Sequence, residues 1–270
     1  MSAALLVNGV AVDPDHAVAA NDRGLSYGDG LFETMLLRNG SVRFLDAHLA
    51  RLRQGCGRLA ISYPGDALLG EEIRAVIGDA QQGVVKIIVT RGQGGRGYRP
   101  PDAVNATRVV SLHPEPEAAE AGGIRIRTCE TRLARNPLLA GMKHLCRLEQ
   151  VLARSEWNDS DIAEGLMLDT EGELICGTSS NVFVVRNNVL TTPDLRFCGI
   201  HGVMRAQVLC AARDSSMQTA EEPLWPEDLS TATEVFLTNA VRGIRSVVAC
   251  ESLRWKVGPV AGLLKQVLES

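Results

Sequence analysis

Apolar positions along the 270-residue chain alternate with polar ones in some stretches and recur every three to four positions in others. These two periods separate strands from helices. Leu5-Leu6-Val7 and Val10-Ala11-Val12 flank Asn8-Gly9, Met35-Leu36-Leu37-Arg38 and Ser41-Val42 flank Asn39-Gly40, and residues 182–186 and 189–190 flank Asn187-Asn188. Such dipeptides tolerate the positive φ that tight hairpin turns require, so antiparallel sheet is implied in both halves. Leu45, Leu49, Leu52, Cys56 and Leu59 predict one amphipathic helix, and Leu69, Ile73, Val76, Ile77 and Ala80 a second. Residues 84–90 and 108–112 read as buried strands. Further on, strands are predicted at 124–128, 165–168, 174–176, 181–185, 234–237 and 245–248, and helices at 143–155, 203–212 and 260–268. Prolines and glutamates in residues 113–120 mark a linker. The reading is therefore α+β, with a smaller domain at 1–113, a linker at 114–122 and a larger domain at 123–270.

Composition changes this picture little. The net charge is −4 and arginine is spread along the chain without a basic block, which argues against a nucleic-acid partner. The first residues lack a basic start and are broken at Asn8-Gly9, so neither a signal peptide nor a membrane helix is expected, and a cytoplasmic location is. The seven cysteines are scattered, with no Cys-x-x-Cys pair and no metal-ligand spacing. Reduced core residues are expected, and no metal.

Chemistry enters at Lys143, the only lysine between Lys86 and Lys256, which opens the predicted helix at 143–155. Arginine stays protonated and forms no imine, whereas a partly desolvated lysine loses its proton and attacks carbonyls. Lys143 is thus a candidate Schiff-base nucleophile; an ordinary solvated lysine at a helix start fits the spacing equally well. Residues 199–205 (Gly-Ile-His-Gly-Val-Met-Arg) lead into a helix whose first N–H groups would cradle an anion, although a plain loop-to-helix junction reads the same. Arg51, on the polar side of its helix, is a second possible anion anchor or a solvated face. Thr90-Arg91-Gly92-Gln93-Gly94-Gly95-Arg96-Gly97-Tyr98 sets two arginines among glycines, suited to gripping carboxylates or to an exposed loop. Residues 236–245, at a strand end, and the small polar run Gly177-Thr178-Ser179-Ser180-Asn181 are further places where a ligand would meet loops.

Taken together, the segments 21–34, His48-Leu49-Ala50-Arg51-Leu52, 91–98, Lys143-His144-Leu145, Arg147-Leu148-Glu149-Gln150-Val151-Leu152, 177–183 and Thr238-Asn239-Ala240 resemble the fold-type IV enzymes that use pyridoxal 5′-phosphate (PLP). Gly94-Gly95-Arg96-Gly97-Tyr98 and residues 147–152 lean toward the 4-amino-4-deoxychorismate lyase branch of that family. The resemblance implies a D-amino-acid aminotransferase-like fold whose larger domain binds PLP, carried on Lys143. It implies that Arg51 and the backbone of Val203 and Met204 hold the phosphate. Cys176, Ser180, Asn181, Asn239 and Ala240 lie where the family contacts the cofactor or a substrate carboxylate. Thr34 would face the cofactor and help move a proton, and Arg91, Arg96, Arg242 and Arg245 are the candidates for substrate carboxylates. The implied reaction expels pyruvate from 4-amino-4-deoxychorismate to give 4-aminobenzoate, a folate precursor, and a homodimer is expected.

Two positions depart from the family pattern. Cys176 stands where relatives have the glutamate that pairs with the pyridine nitrogen, five residues before Asn181. A thiol, with a reference pKa of about 8.5, offers no such charge. The weaker electron sink handicaps transamination more than an elimination driven by aromatisation. Cys146 replaces a usual asparagine near the lysine. The alternatives are an aminotransferase acting on D- or branched-chain amino acids, and a PLP-binding protein with little or no catalysis.

Overall fold

All three dipeptide turns form in the computed structural model, which describes residues 5–102, 104–116 and 122–269. Asn8, Asn39, Asn187 and Asn188 take φ between 51° and 62°, and Gly9 and Gly40 take 82° and 70°. These left-handed values are what let two-residue loops follow the strand twist. The first turn joins β1 (Leu5–Val7) to β2 (Val10–Ala11). After the short helix α1 (Arg23–Tyr27), the second joins β3 (Gly30–Arg38) to β4 (Ser41–Val42). Helices α2 (Leu45–Leu59) and α3 (Asp66–Ile77) follow, then β5 (Gln82–Thr90) and β6 (Thr107–His113).

These elements belong to a first unit, which comprises the described residues up to Pro116 together with Met142–Cys146. Its sheet runs β2-β1-β6-β5-β3-β4 and every pairing is antiparallel. Strands β3 and β5 are central, and their runs Met35-Leu36-Leu37 and Gly83-Val84-Val85 are buried on both faces. Helix α2 buries His48, Leu49, Leu52, Gly55 and Cys56, and α3 buries Leu69, Glu72, Ile73 and Val76. A methyl group added at Gly55 would lie 2.9 Å from the Leu31 side chain, so Leu31, and by alternation Glu33 and Met35, face α2. Phe32 and Thr34 point to the other face.

The second unit holds residues 122–141 and those from Arg147 onward. It contains β7 (Ile124–Thr128), α4 (Leu148–Arg154), β8 (Ile162–Leu168), β9 (Leu174–Gly177), β10 (Asn181–Arg186) and β11 (Val189–Pro193). Then come α5 (Val203–Asp214), β12 (Gln218–Glu222), β13 (Glu234–Asn239), β14 (Gly243–Cys250), β15 (Leu253–Arg254) and α6 (Pro259–Glu269). The sheet runs β12-β11-β10-β13-β14-β7-β8-β9, with β15 beside β14. It is mixed rather than purely antiparallel, because β7 lies parallel to β8 and β14, and β11 parallel to β12. Parallel neighbours need a crossover, which α4 supplies between β7 and β8 and α5 between β11 and β12. One face packs Ile126, Leu166, Val182, Val235, Leu237 and Val247 into a core. The cross-strand pair Phe183 and Phe236 stacks with centroids 5.1 Å apart.

Two expectations need restating. The predicted helix at 143–155 is helical only over Leu148–Arg154, because residues 143–145 form hydrogen bonds to β3 instead, and tertiary strand pairing outweighs the local helical period. Of the predicted linker, residues 117–121 lie outside the described residues.

Candidate active site

Lys143 sits on an extended segment laid along the start of β3. The Phe32 N–H donates to the Lys143 carbonyl at 3.0 Å, the Leu145 N–H donates to the Gly30 carbonyl at 3.0 Å, and Leu31 bridges His144. The lysine backbone is therefore fixed on both sides by a buried strand. Its Nζ stands 4.0 Å from the centroid of the Phe32 ring, within cation–π range. Lys86 Nζ lies 5.8 Å from the same centroid, because Lys86 is the cross-strand partner of Thr34. Phe32, half-buried Thr34 and both amines thus share one face of the first sheet. Cys146 ends the segment, its Sγ 3.7 Å and 3.8 Å from the carbonyl oxygens of Tyr27 and Gly28.

On the opposite face of β3, Glu33 is 1% exposed and accepts from Arg51 Nε at 2.8 Å, Arg51 Nη2 at 2.5 Å and His48 Nδ1 at 2.6 Å. His48 and Arg51 are one helical turn apart on α2, so both reach the same carboxylate. Burial pushes the Glu33 carboxyl up, but the hydrogen bonds and charges of His48 and Arg51 outweigh it and hold the pKa below the usual carboxylate range. Sequence reasoning missed Glu33 and His48. Their signal was a carboxylate interrupting the apolar run of β3.

The four candidate arginines divide. Arg91 grips Asp29 through Nε (2.7 Å) and Nη2 (3.0 Å) and caps the end of α2 through the carbonyls of Leu59 and Ala60, both at 2.8 Å. Its guanidinium is consumed by the protein, so it is withdrawn as a substrate ligand. Arg23 also binds Asp29 and holds the carbonyls of Gly97 and Tyr98 at 3.0 Å each, which orders the glycine-rich loop. Arg245 is withdrawn too: it is 7% exposed and paired with Glu164. Arg96 is exposed and has no ion pair among the described residues, and Arg242 is exposed on the turn after β13.

In the second unit, α5 begins after Gly202 with no side-chain cap, so the N–H groups of Val203 and Met204 point out of the helix start without an intrahelical acceptor. Glycine before them lets the Asn181 side chain close on the helix start, since a Cβ at 202 would stand 2.0 Å from Asn181 Oδ1. Asn181 opens β10 and donates to the Ile200 carbonyl at 2.9 Å, tying the strand to the loop before α5. Ser180 Oγ and Thr238 Oγ1 are buried without a partner among the described residues. Asn239 spends its side chain on the turn, accepting from the N–H groups of Val241 (3.1 Å) and Arg242 (2.7 Å) and donating to the Ser179 carbonyl at 3.3 Å. Ala240 follows in that turn, half-buried.

Glu164, also missed from the sequence, supports the small polar run from below, accepting from the Ser179 N–H at 2.6 Å, Ser179 Oγ at 2.9 Å and Thr178 Oγ1 at 3.3 Å. Cys176 pairs with Met167 across β8, so Gly165 and Met167 share its face and Glu164 lies on the other. The thiol packs among Cys129, Trp157, Leu195 and Cys198, and burial pushes its pKa far above the ordinary range. Cys176 is thus a neutral group. Glu173 is engaged by Arg135 at 2.8 Å.

Comparison with known proteins follows the same outline. Residues 30–250 match the amino-transferase class IV family model. The chain is 34% identical over 269 residues to aminodeoxychorismate lyase of Vibrio harveyi, covering 97% of each protein. It is 33% identical over 248 residues to a putative branched-chain-amino-acid aminotransferase of Methanocaldococcus jannaschii, covering 89% of this chain and 85% of that protein. Among solved structures, 4-amino-4-deoxychorismate lyase from Pseudomonas aeruginosa superimposes with a TM-score of 0.93 at 45% identity, covering 98% of each chain. A branched-chain amino acid aminotransferase from Escherichia coli shares the fold, with a TM-score of 0.88 at 23% identity over 100% of this chain and 94% of that one.

Proposed function

We propose, for a chain that belongs to the amino-transferase class IV family, the elimination of pyruvate from 4-amino-4-deoxychorismate to leave 4-aminobenzoate. The observation that carries this reading is Lys143, set by β3 over the Phe32 ring in a chain matched from end to end by lyases of that name. The family works with pyridoxal 5′-phosphate, and the residues fit it. An amine stands at Lys143, a helix start is left uncapped at Gly202, and the Ser180 and Thr238 hydroxyls are buried without partners.

When bound, the cofactor supplies a ring that withdraws electrons from the substrate carbon bearing nitrogen. Lys143 would hold the cofactor through its amine and, once displaced by the substrate amine, would take the proton from that carbon. Thr34, on the same face of β3 as Phe32, offers a hydroxyl to relay the proton toward the departing ether oxygen. In the first unit Arg51 is the proposed phosphate ligand, and in the second the N–H groups of Val203 and Met204, with Ser180, Asn181, Asn239 and Ala240 as further cofactor or carboxylate contacts. Arg96 and Arg242 are the arginines we retain for substrate carboxylates. Aromatisation of the product ring drives the step, so the protein's task is to orient, exclude water and move one proton.

The test is pyruvate release from aminodeoxychorismate, compared with keto-acid formation from D-alanine and 2-oxoglutarate. A chain that makes keto acid and no pyruvate is an aminotransferase, the second reading, favoured by the identity to the archaeal relative. Cys176 bears on the same choice. Cys176→Glu is expected to shift the absorption of the bound cofactor and to raise keto-acid formation about tenfold, the scale of one charge-assisted hydrogen bond. A cofactor-loaded variant with unchanged keto-acid formation contradicts this account of the sink.

A homodimer in the cytoplasm is part of the proposal. Helix α4 turns Leu148, Val151 and Leu152 outward at 76%, 57% and 60% exposure, and Leu138 is 82% exposed, an apolar face suited to a second copy. All seven cysteines are free, as in a reducing compartment. Leu148→Glu with Leu152→Glu is expected to convert the dimer to monomer in sedimentation velocity; an unchanged sedimentation coefficient excludes α4 from the interface.

A further inference from the structure

We infer that Arg23 is a positioning residue for substrate binding: it clamps the glycine-rich loop by the two carbonyls that follow Arg96, so that Arg96 meets a substrate carboxylate from a loop already ordered. The inference rests on the reading of Arg96 as a carboxylate ligand and adds the device that holds it. Residues 92–97 include four glycines, and glycine loses more conformational freedom on ordering than any other residue. Left to itself, such a loop would be ordered anew by each substrate, at a cost in affinity.

The chain around α1 orders it beforehand. Ahead of Arg96, the Arg23 N–H donates to the Gly92 carbonyl at 2.9 Å, the Gly94 N–H donates to the Asn21 carbonyl at 3.1 Å, and Asp22 bridges Gln93. Beyond Arg96, Arg23 Nη1 and Nη2 donate to the Gly97 and Tyr98 carbonyls at 3.0 Å each, and the Gly97 N–H donates to Tyr27 Oη at 3.2 Å. The guanidinium is itself fixed, with Nε donating to Asp29 at 2.9 Å and Cζ over the Tyr27 ring, 4.8 Å from its centroid. The Tyr98 ring closes edge-on against Tyr27, centroids 5.5 Å apart. Arg23 is 4% exposed, so its grip is made largely out of water, where hydrogen bonds from a charged group are strong. Both ends of the loop are therefore anchored, with Gly95 and Arg96 between the anchors. A Cβ at Gly95 would meet nothing within 4 Å among the described residues, so the tip stands clear.

The experiment is a double-mutant cycle on the holoenzyme, read in the KM for pyruvate release from 4-amino-4-deoxychorismate. Arg96→Ala is expected to raise KM about tenfold, the scale of one charge-assisted contact. Arg23→Ala is expected to raise it about fivefold in the wild-type background, the scale of ordering one long side chain on binding. In the Arg96→Ala background it is expected to raise KM no further, since the clamp then has no arginine to present. A role in stability alone leaves KM at its wild-type value in Arg23→Ala or raises it by the same factor in both backgrounds. Either result overturns the inference while the reading of Arg96 stands. If Arg96→Ala leaves KM untouched, or the wild-type chain releases no pyruvate, the reading of Arg96 fails and the inference with it. Should Arg23→Ala not fold, Arg23→Lys decides: its ammonium still neutralises Asp29 but has no fork to span two successive carbonyls. Its KM is then expected to rise in the wild-type background alone, and a wild-type KM or an equal rise in both backgrounds overturns the inference.

Discussion

Replacing Lys143 by alanine is expected to yield a folded protein that neither absorbs in the visible after incubation with pyridoxal 5′-phosphate nor releases pyruvate at a measurable rate. The fold survives because the segment is held through backbone groups, the Lys143 carbonyl and the Leu145 N–H, which alanine keeps. Loss of the base alone is worth about 10²–10⁴-fold, before the missing covalent anchor is counted. Lys86 provides the internal control, since its amine is close to the same Phe32 ring. Borohydride trapping followed by peptide mass mapping should place the cofactor on Lys143, and Lys86→Ala should retain the visible band. A trapped peptide containing Lys86 would falsify the assignment.

Arg245→Ala should be the most destabilising of the arginine substitutions, and should act on stability rather than on substrate affinity. The guanidinium is buried against Glu164, and removing it leaves a buried carboxylate with only the hydroxyls and N–H group of residues 178 and 179. Breaking one partner out of a buried pair costs about 3–5 kcal/mol. Thermal unfolding should therefore shift down by several degrees while KM at low temperature changes little. Arg96→Ala provides the contrast, because its exposed side chain holds no ion pair among the described residues. There the unfolding temperature should hold and KM should rise about tenfold, the scale of one charge-assisted contact. A raised KM in Arg245→Ala with unchanged stability would return Arg245 to the substrate site.

What could be read in advance followed from how local each signal was. The three turns were legible because positive φ at Asn8, Asn39 and Asn187 is a property of the dipeptides themselves. Helices α2, α3, α5 and α6 followed from periodic apolar positions. Residues 143–145 carry a helical pattern and yet pair with β3, because the deciding hydrogen bonds come from residues more than a hundred positions away. The parallel strands were likewise settled by crossovers rather than by composition. At the site, Lys143 stood out as a lysine among arginines. The partners of Arg91 and Arg245 were not, since an arginine in sequence does not disclose whether its carboxylate will come from a ligand, from Asp29 or from Glu164. Glu33 and Glu164 escaped notice because each lies inside a strand, where only the three-dimensional neighbours explain a charge.

The strip Met142–Cys146 counts with the first unit while the chain on both sides of it counts with the second. Strand β4 covers β3 only at Leu37 and Arg38, so the edge at Gly30–Phe32 has no neighbour until His144 arrives. On the ribosome, the amino-terminal sheet must wait with that edge open until residue 146 has emerged. The two halves are for this reason not separable modules: expressed apart, one would lack a border strand and the other would carry Lys143 on a stretch with nothing to lie against.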